Sequence, residues 1–286
     1  MYERSEEILD ESKGRDRFEL ARAIGGWAVY DYFSRAFDRD PGDTGRNVMD
    51  KPVLSDPPDD PEVLAREVKR AGRSYGASTV GITEIDRKWI YSKSRDGEPL
   101  QLPSDYSHAI VALIPVDPEP TRTSPDYPAA RESAVSYSRM AFLISCLAEF
   151  IRRLGYKAWP AGNDTGLSIP LAIDAGLGRL GRNGLLVNPE LGSCLKICKI
   201  FTNMDLSEDR PLKPPLLKNC RSCKICSEVC EVDAISKSTE PTYETSCPSN
   251  NQGILRWPVD GYKCYQFWLD NGSDCSTCIA ACALTP

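Results

Sequence analysis

The pattern of apolar and polar positions predicts alternating helices and strands from residue 60 onward. Asp60 and Pro61 suit the cap and the first position of a helix, and an apolar stripe follows until Gly76: Val63, Leu64, Val68 and Ala71. Two runs rich in β-forming residues come next, at residues 78–85 and 109–116. The second run is nearly all apolar, which predicts a central strand that is buried on both faces.

A second helix is predicted over residues 137–154, because apolar residues recur on one face before Gly155. Tyr137 is expected one turn ahead of that apolar stripe. An apolar run at residues 158–161 precedes a predicted helix over residues 167–175, and we expect residues 185–188 to pair with residues 195–202 across a turn. This alternation predicts an α/β or α+β domain.

Length and composition predict more than one folded unit. The chain has 286 residues, of which 41% are hydrophobic, enough for one sizeable core and a smaller appended module. The proline-rich stretch at residues 210–215 reads as a linker. We therefore expect an N-terminal arm over residues 1–59, an α/β domain over residues 60–208 and a C-terminal module over residues 209–286.

The net charge and the targeting signals restrict the candidate partners and the location of the chain. A net charge of -6 without a basic face argues against a nucleic-acid partner and favours small molecules. No run of 18 or more apolar residues occurs, and the charged start lacks twin arginines. We expect the chain as given to be soluble and cytoplasmic, and to be exported and membrane-associated if a twin-arginine signal precedes it in the native protein. The sequence does not indicate the oligomeric state.

The cysteines carry the strongest local signal. Cys220, Cys223, Cys226 and Cys230 follow the C-x2-C-x2-C-x3-C spacing of bacterial ferredoxins. Cys275, Cys278 and Cys282 repeat the end of that motif, and Cys264 precedes them where a looped-out fourth ligand could return. By the crossover of two-cluster ferredoxins, one [4Fe-4S] cluster takes Cys220, Cys223, Cys226 and Cys282, and the other takes Cys230, Cys264, Cys275 and Cys278. Zinc or disulfides are the disfavoured alternatives, since zinc prefers pairs of C-x-x-C.

The remaining cysteines and the sole histidine are expected to be structural. The four cysteines without cluster spacing, for which core packing is the better interpretation, are Cys146, Cys194, Cys198 and Cys247. His108 opens the predicted central strand, so we interpret it as structural rather than as a metal ligand. If the chain binds a cobalamin, that cofactor would then lack a histidine as its lower ligand.

Gly176, Gly178 and Gly181 form a G-x-G-x-x-G pattern whose context argues against a dinucleotide site. A predicted helix precedes the pattern, and no helix follows it to hold a pyrophosphate. The alternatives are a turn-rich connection or a backbone that approaches a large flat ligand closely. Two clusters also imply an electron acceptor, for which flavin, cobalamin and a partner protein are the candidates.

Four segments together resemble the cobalamin-dependent reductive dehalogenases and, more distantly, epoxyqueuosine reductase. They are Ala-Gly-Leu-Gly-Arg-Leu-Gly-Arg-Asn-Gly-Leu-Leu-Val-Asn-Pro at 175–189, Phe-Thr at 201–202, the first cysteine motif, and Tyr-Lys-Cys-Tyr-Gln-Phe-Trp at 262–268. The resemblance implies a nitroreductase-like core that holds base-off cobalamin, with an appended ferredoxin-like module carrying two [4Fe-4S] clusters. Cob(I)alamin would then reduce the carbon–halogen bond of a small organohalide. An external low-potential electron donor is implied, and a membrane-anchor subunit is a further candidate partner.

The resemblance also implies residue roles. Tyr137 falls on the proton donor, Asn163 on a nearby asparagine and Lys196 on the basic partner. A cation that stabilises the phenolate makes proton donation by a tyrosine easier. Cofactor contacts are implied in the glycine motif, at Gly176, Gly178, Gly181, Arg182 and Asn183. The alternative is a structural role, in which Tyr137 anchors its helix and Lys196 is solvated. Three tryptophans could line a halocarbon pocket or belong to a core: Trp27, Trp257 and Trp268.

Two other functions remain open. An epoxyqueuosine reductase would use Asp164 for the proton, but the Arg-Asp-Tyr-His run of that family is replaced here by Ser-Arg-Met-Ala at 138–141. A corrinoid or iron–sulfur electron-transfer protein would need no substrate pocket. The sequence favours the dehalogenase.

Overall fold

The computed structural model describes residues 59–213 and 216–286, apart from the side chains of residues 216–218. Almost all of the predicted arm, including Trp27, therefore lies outside the described residues. Helix α1 spans Pro61–Ser74, and the Asp60 carboxylate accepts hydrogen bonds from the backbone N–H groups of Glu62 (2.8 Å) and Val63 (3.3 Å). Gly76 follows with φ +106°, so the predicted start and end of this helix are confirmed.

One four-stranded antiparallel sheet forms the centre of the fold. Its strands, in the spatial order β1-β2-β6-β3, are β1 (Thr79–Glu84), β2 (His108–Pro115), β6 (Leu195–Thr202) and β3 (Ala158–Ala161). Strand β2 lies between two partners and is buried along all but its last residue, as its apolar run predicts. A two-stranded ribbon joins β4 (Arg179–Leu180) to β5 (Leu186–Val187).

The predicted pairing of residues 185–188 with residues 195–202 is wrong. Strand β5 pairs with β4 instead, and β6 has its hydrogen-bonding edges occupied by β2 and β3. Strand β4 is only two residues long and lies inside the glycine motif, so it has no alternating pattern by which the sequence could reveal it.

Helices cover both faces of the sheet. After a 3₁₀ turn (Arg87–Trp89), these are α2 (Pro118–Thr121), α3 (Tyr127–Arg153) and α4 (Ser168–Asp174). Helices α1 and α3 pack on one face, and α4 with the loop before β2 packs on the other. Helix α3 is long and apolar enough to cross a membrane by length and composition, but half of the relevant window is buried in this fold.

Helix α3 begins ten residues before the predicted start at Tyr137. After the buried Tyr127, its first turns bury small or polar side chains such as Glu132, Ser133 and Ser136, so the apolar stripe understates its length. Tyr137 consequently lies in the middle of the helix.

The C-terminal region consists of short helices and loops fastened to the sheet domain. Its helices are α5 (Leu216–Ser222), α6 (Ile225–Glu228), α7 (Gly261–Asn271) and α8 (Thr277–Ala280). The backbone N–H of Ser276 donates to Ser124 Oγ (2.7 Å), and Asn271 Nδ2 donates to the Pro125 carbonyl (2.9 Å). These bonds hold the segment that carries Cys275 and Cys278 against the turn that precedes α3.

Candidate active site

Three predicted residues meet at one point in the structure. Tyr137 comes from α3, Asn163 from the loop after β3, and Lys196 from β6. Asn163 Nδ2 donates a hydrogen bond to Tyr137 Oη (2.9 Å), and Lys196 Nζ lies 4.3 Å from the centroid of the tyrosine ring. All three line a cavity of about 580 Å³, the tyrosine cavity. A phenol, an amide donor and a cation are therefore together at one wall.

Lys196 has two polar neighbours that the sequence reading missed. Its Nζ donates to Ser133 Oγ (3.1 Å), and Ser133 lies one helical turn before Tyr137. Ser133 also forms a hydrogen bond with the carboxyl of Asp274. Burial raises the pKa of the Asp274 carboxyl, while Ser133 and the charge of Lys196 act in the opposite direction. Spacing of i, i+4 would have identified Ser133 if the helix start had been known.

A buried lysine holds the loop that carries Asn163. Lys199 Nζ donates to the Gly162 carbonyl (2.5 Å) and to Ser168 Oγ (3.0 Å). Because Lys199 lies in β6, it ties this loop and the start of α4 to the sheet. Asn163 therefore approaches Tyr137 from a fixed loop.

A second cavity of about 500 Å³, the cysteine cavity, adjoins the first. Its wall contains the second predicted cysteine set: Cys230, Cys264, Cys275 and Cys278. Tyr137, Lys196 and Gly184 line both cavities. The candidate proton donor thus faces the space beside these thiols, and Gly184 is a further wall residue that the sequence did not single out.

The eight cluster-type cysteines fall into two groups in space. Burial, followed by the charges of Cys220, Cys282 and Cys223, raises the pKa of Cys226 to about 11. Burial, followed by the charges of Cys275 and Cys230, raises the pKa of Cys264 to about 11. Cys278 has a pKa raised mainly by burial and then by Cys275, Cys264, Cys226 and Cys230, so it lies near both groups. Helix α6, which carries Cys226, contacts helix α8, which carries Cys278, so the two groups adjoin.

In the described part of the chain, no three His, Cys, Asp or Glu side chains converge closely enough to hold one metal ion. A four-iron cluster is bound by four thiolates, and each iron takes its own cysteine, so its ligands need not converge on a single point. Four thiols in each group match the ligand number of such a cluster.

The glycine motif contacts the protein itself at most of its positions. A Cβ added to Gly176, Gly178 or Gly181 would come within 2.7 Å of protein atoms, so these glycines permit close packing between segments. Arg182 is fully buried and its guanidinium bonds to carbonyls of the first cysteine motif. Asn183 lines the cysteine cavity and donates to Ser193 Oγ (3.3 Å).

Two of the tryptophans considered as pocket residues, Trp257 and Trp268, lie at the cavity walls. Trp257 is buried and lines the tyrosine cavity, and Trp268 lines the cysteine cavity. Within the described residues, Trp268 Nε1 is buried without a hydrogen-bond partner. Both predicted roles, pocket wall and buried aromatic, therefore apply to Trp257.

The residues expected to be structural lie outside the walls of the tyrosine cavity and the cysteine cavity. His108 opens β2, and its Nδ1 is 2.9 Å from Ser107 Oγ. Cys194, Cys198 and Cys247 are buried, and burial raises the pKa of Cys198 to about 12. Asp164 is 2% exposed and belongs to neither described wall.

Comparison with curated proteins identifies relatives of this chain, although no protein-family model matches it. The chain is 36% identical over 264 residues to a tetrachloroethene reductive dehalogenase of Desulfitobacterium hafniense, covering 78% of this chain and 48% of that protein. It is 33% identical over 261 residues to a tetrachloroethene reductive dehalogenase of Sulfurospirillum multivorans, covering 80% and 52%. The chain therefore spans about half the length of these curated relatives.

Solved structures give the same result for the fold. A catabolic reductive dehalogenase in complex with 3-bromo-4-hydroxybenzoic acid matches with a TM-score of 0.78 at 24% identity, over 99% of this chain and 40% of that one. A reductive dehalogenase structure described as suggesting a mechanism for B12-dependent dehalogenation matches with a TM-score of 0.75 at 25% identity, over 91% and 36%. Epoxyqueuosine reductase from Lactococcus garvieae is 38% identical over 92 residues, but this covers only 31% of the chain and 25% of that enzyme. Over the half of their length that it spans, the chain is homologous to the tetrachloroethene reductive dehalogenases.

Proposed function

We propose that this chain carries the catalytic region of a reductive dehalogenase that removes halide from a small organohalide. The observation that carries the proposal is the meeting of Tyr137, Asn163 and Lys196 at a wall shared by the tyrosine and cysteine cavities. A proton donor with a cation beside it thus faces the same space as four thiols. Homology to tetrachloroethene reductive dehalogenases supports this assignment.

The residues present fit the cofactors that this reaction needs. The two cysteine groups would hold two [4Fe-4S] clusters, in a ferredoxin-like module beside a nitroreductase-like core. A base-off cobalamin would occupy the joined cavities, which share Tyr137, Lys196 and Gly184 in their walls. His108, the sole histidine, lies in neither described wall, which agrees with a corrinoid that has no histidine ligand. When bound, cobalamin would supply the reductant for the carbon–halogen bond.

Replacement of halogen by hydrogen consumes two electrons and one proton and releases one halide ion. Tyr137 would supply the proton from its hydroxyl group. The Asn163 amide would hold the phenol oxygen in place, and Lys196 would stabilise the phenolate that remains. Trp257, in the wall of the tyrosine cavity, would contribute apolar surface for the organohalide.

Electrons would come from an external low-potential donor through the two clusters. The second cysteine group lines the cavity, whereas the first group does not, so the first cluster is the proposed entry point. The proximity of Cys226 and Cys278 supports transfer between the two clusters.

Specific observations disfavour the two alternatives. An epoxyqueuosine reductase would need Asp164 in the cavity, but this carboxylate is buried outside both described walls. An iron–sulfur carrier without a corrinoid needs no cavity beside its cysteines, and cavities of about 580 and 500 Å³ adjoin there, with Tyr137 in the wall of both.

Anaerobic reconstitution with iron, sulfide and cobalamin tests the proposal. We expect EPR signals from two four-iron clusters and from base-off corrinoid, together with halide release from chlorinated ethenes or halogenated phenols under reduced methyl viologen. Clusters without bound corrinoid would instead favour an electron-transfer protein and would contradict the proposed roles of Tyr137 and Lys196.

A further inference from the structure

Arg182 is a buried cation whose donors all point at the backbone of the cysteine module. Its side chain is 0% exposed. Nε donates to the carbonyls of Cys220 (3.2 Å) and Cys223 (3.0 Å), and Nη2 donates to the Cys220 carbonyl again (2.7 Å). Nη1 donates to the carbonyls of Ser236 (2.9 Å) and Ser238 (2.7 Å). The guanidinium therefore binds both ends of the segment from residue 220 to residue 238, which carries the first cysteine motif.

The positive charge has no carboxylate beside it in the described residues. None of the ion pairs found there includes Arg182. Its guanidinium also donates to the Arg221 carbonyl (3.4 Å) and packs on the ring of Trp257, with 4.6 Å between Cζ and the ring centroid. Burying a charge costs several kcal/mol unless a counter-charge or strong hydrogen bonds offset the loss of water. Carbonyl dipoles supply part of that compensation. A negative group close to the same loop would supply the rest.

The first cysteine group is the nearest candidate for this negative charge. Arg182 bonds to the backbone carbonyls of Cys220 and Cys223, so its guanidinium lies against the backbone of two of the four cysteines in this group. Arg182 is thus close enough to stabilise thiolates in this group. A cluster held by four thiolates carries net negative charge, and a further electron increases it.

We propose that Arg182 is the counter-charge of the cluster bound by Cys220, Cys223, Cys226 and Cys282, and that it sets the reduction potential of this cluster. The inference rests on the proposed clusters. Reduction adds one electron and no proton, so the reduced cluster is more negative than the oxidised one. A fixed buried cation stabilises the reduced form more strongly and raises the potential, because little water screens the interaction. The cluster at the proposed entry point would thereby accept electrons more readily.

EPR-monitored redox titration of the reconstituted full chain tests this proposal with Arg182→Met. We expect the ratio of reduced to oxidised cluster at a fixed potential to fall at least tenfold, which is about 59 mV in midpoint for a one-electron couple. The signals of the first cluster are identified by their change in Cys223→Ser. Arg221→Met is the matched control, because the Arg221 side chain follows Cys220 directly but is 58% exposed. Solvent screens that charge, so its loss should change the ratio less than twofold.

An unchanged midpoint in Arg182→Met, or an equal shift in Arg221→Met, would overturn the proposal. If Arg182→Met assembles no first cluster, Arg182→Lys decides the question. Recovery of the cluster by lysine would support the role of the charge, whereas loss in both variants would show that hydrogen bonding alone shapes the loop and would overturn it. A wild-type chain that binds no clusters would contradict the proposed function itself.

Discussion

At the scale of single residues, Lys196 is held between the ring of Tyr137 and the hydroxyl of Ser133. The ammonium lies over the aromatic face while it donates to Ser133 Oγ at 3.1 Å. An ammonium on a flexible four-carbon stem can occupy many positions, so a fixed acceptor restricts where its charge acts. Ser133 is therefore a positioning residue for Lys196.

Removal of the Ser133 hydroxyl should weaken proton donation by Tyr137 without loss of substrate binding. In Ser133→Ala we expect kcat for halide release to fall about tenfold, a loss of about 1.4 kcal/mol in transition-state stabilisation. KM should change little, because Ser133 acts on the lysine rather than on the substrate. Steady-state kinetics of the reconstituted enzyme would measure both.

Ser136→Ala is the matched control for this variant. Ser136 is also buried in α3, but its hydroxyl donates only to the Ser133 carbonyl (2.7 Å) and lines neither described wall. Equal losses in the two variants would mean that the effect comes from helix packing, and the positioning role of Ser133 would be wrong.

At the scale of elements, the sequence predicted the helices and strands whose own residues contain a cap or an apolar pattern. Asp60 and Pro61 begin α1 because an acceptor and a residue without N–H satisfy the first turn, and the apolar run predicts the central strand β2. The start of α3 was missed although Asp126 and Pro128 mark it, since after Tyr127 its first turns bury small and polar side chains that do not extend the apolar stripe. The β4–β5 ribbon was missed because tertiary contacts define it.

The turn between β5 and β6 supports the C-terminal segment that follows Cys282. Gly192 has φ +57°, and a Cβ there would lie 2.6 Å from the amide nitrogen of Thr285. In Gly192→Ala we expect the C-terminal segment to be displaced, together with Cys282, and the first cluster to be lost from part of the protein. Iron content and the EPR intensity of the first cluster would measure this loss.

Gly97→Ala separates backbone strain from the clash. Gly97 also has positive φ (+84°), but a Cβ there meets nothing within 4 Å. Alanine at such a position costs about 1 to 2 kcal/mol from backbone strain alone. Full cluster content in Gly192→Ala, or equal loss in Gly97→Ala, would contradict the supporting role of the turn.

At the scale of the whole molecule, the two regions are stabilised differently. The two apolar layers around the sheet lie between Leu64 and Leu206. Among the described residues beyond 209, the buried hydrophobic side chains are few: Cys226, Ala234, Ile235, Cys247 and Trp257. The cysteine region would therefore depend on its clusters for much of its stability, because binding of metal couples to folding.

Anaerobic removal of iron should loosen this region while the sheet remains folded. We expect backbone amides of α6, α7 and α8 to exchange hydrogen at least tenfold faster in the iron-free chain, with β2 and β6 protected as before. Hydrogen exchange followed by mass spectrometry would measure both regions. Faster exchange throughout the sheet would show that the clusters stabilise the entire molecule instead.

The candidate site was predictable to the extent that spacing and resemblance defined it. Cysteine spacing predicted two groups of four thiols; the second group shares one cavity wall, and the assignment of both groups to clusters stays a prediction. The meeting of Tyr137, Asn163 and Lys196 followed from resemblance, since 59 residues separate Tyr137 from Lys196 along the chain. The inward direction of Arg182 and the role of Gly184 depend on how distant segments pack, which no local pattern encodes.

The central claim is that Tyr137 supplies the proton for dehalogenation, and halide release by Tyr137→Phe tests it most directly. At equal iron and cobalt content per chain, we expect release to fall about 10² to 10⁴-fold, the range typical of a lost general acid. Tyr75→Phe, at a half-buried tyrosine that packs against the core outside both described walls, should stay within twofold of the wild type. Halide release by Tyr137→Phe at the wild-type rate would contradict the claim.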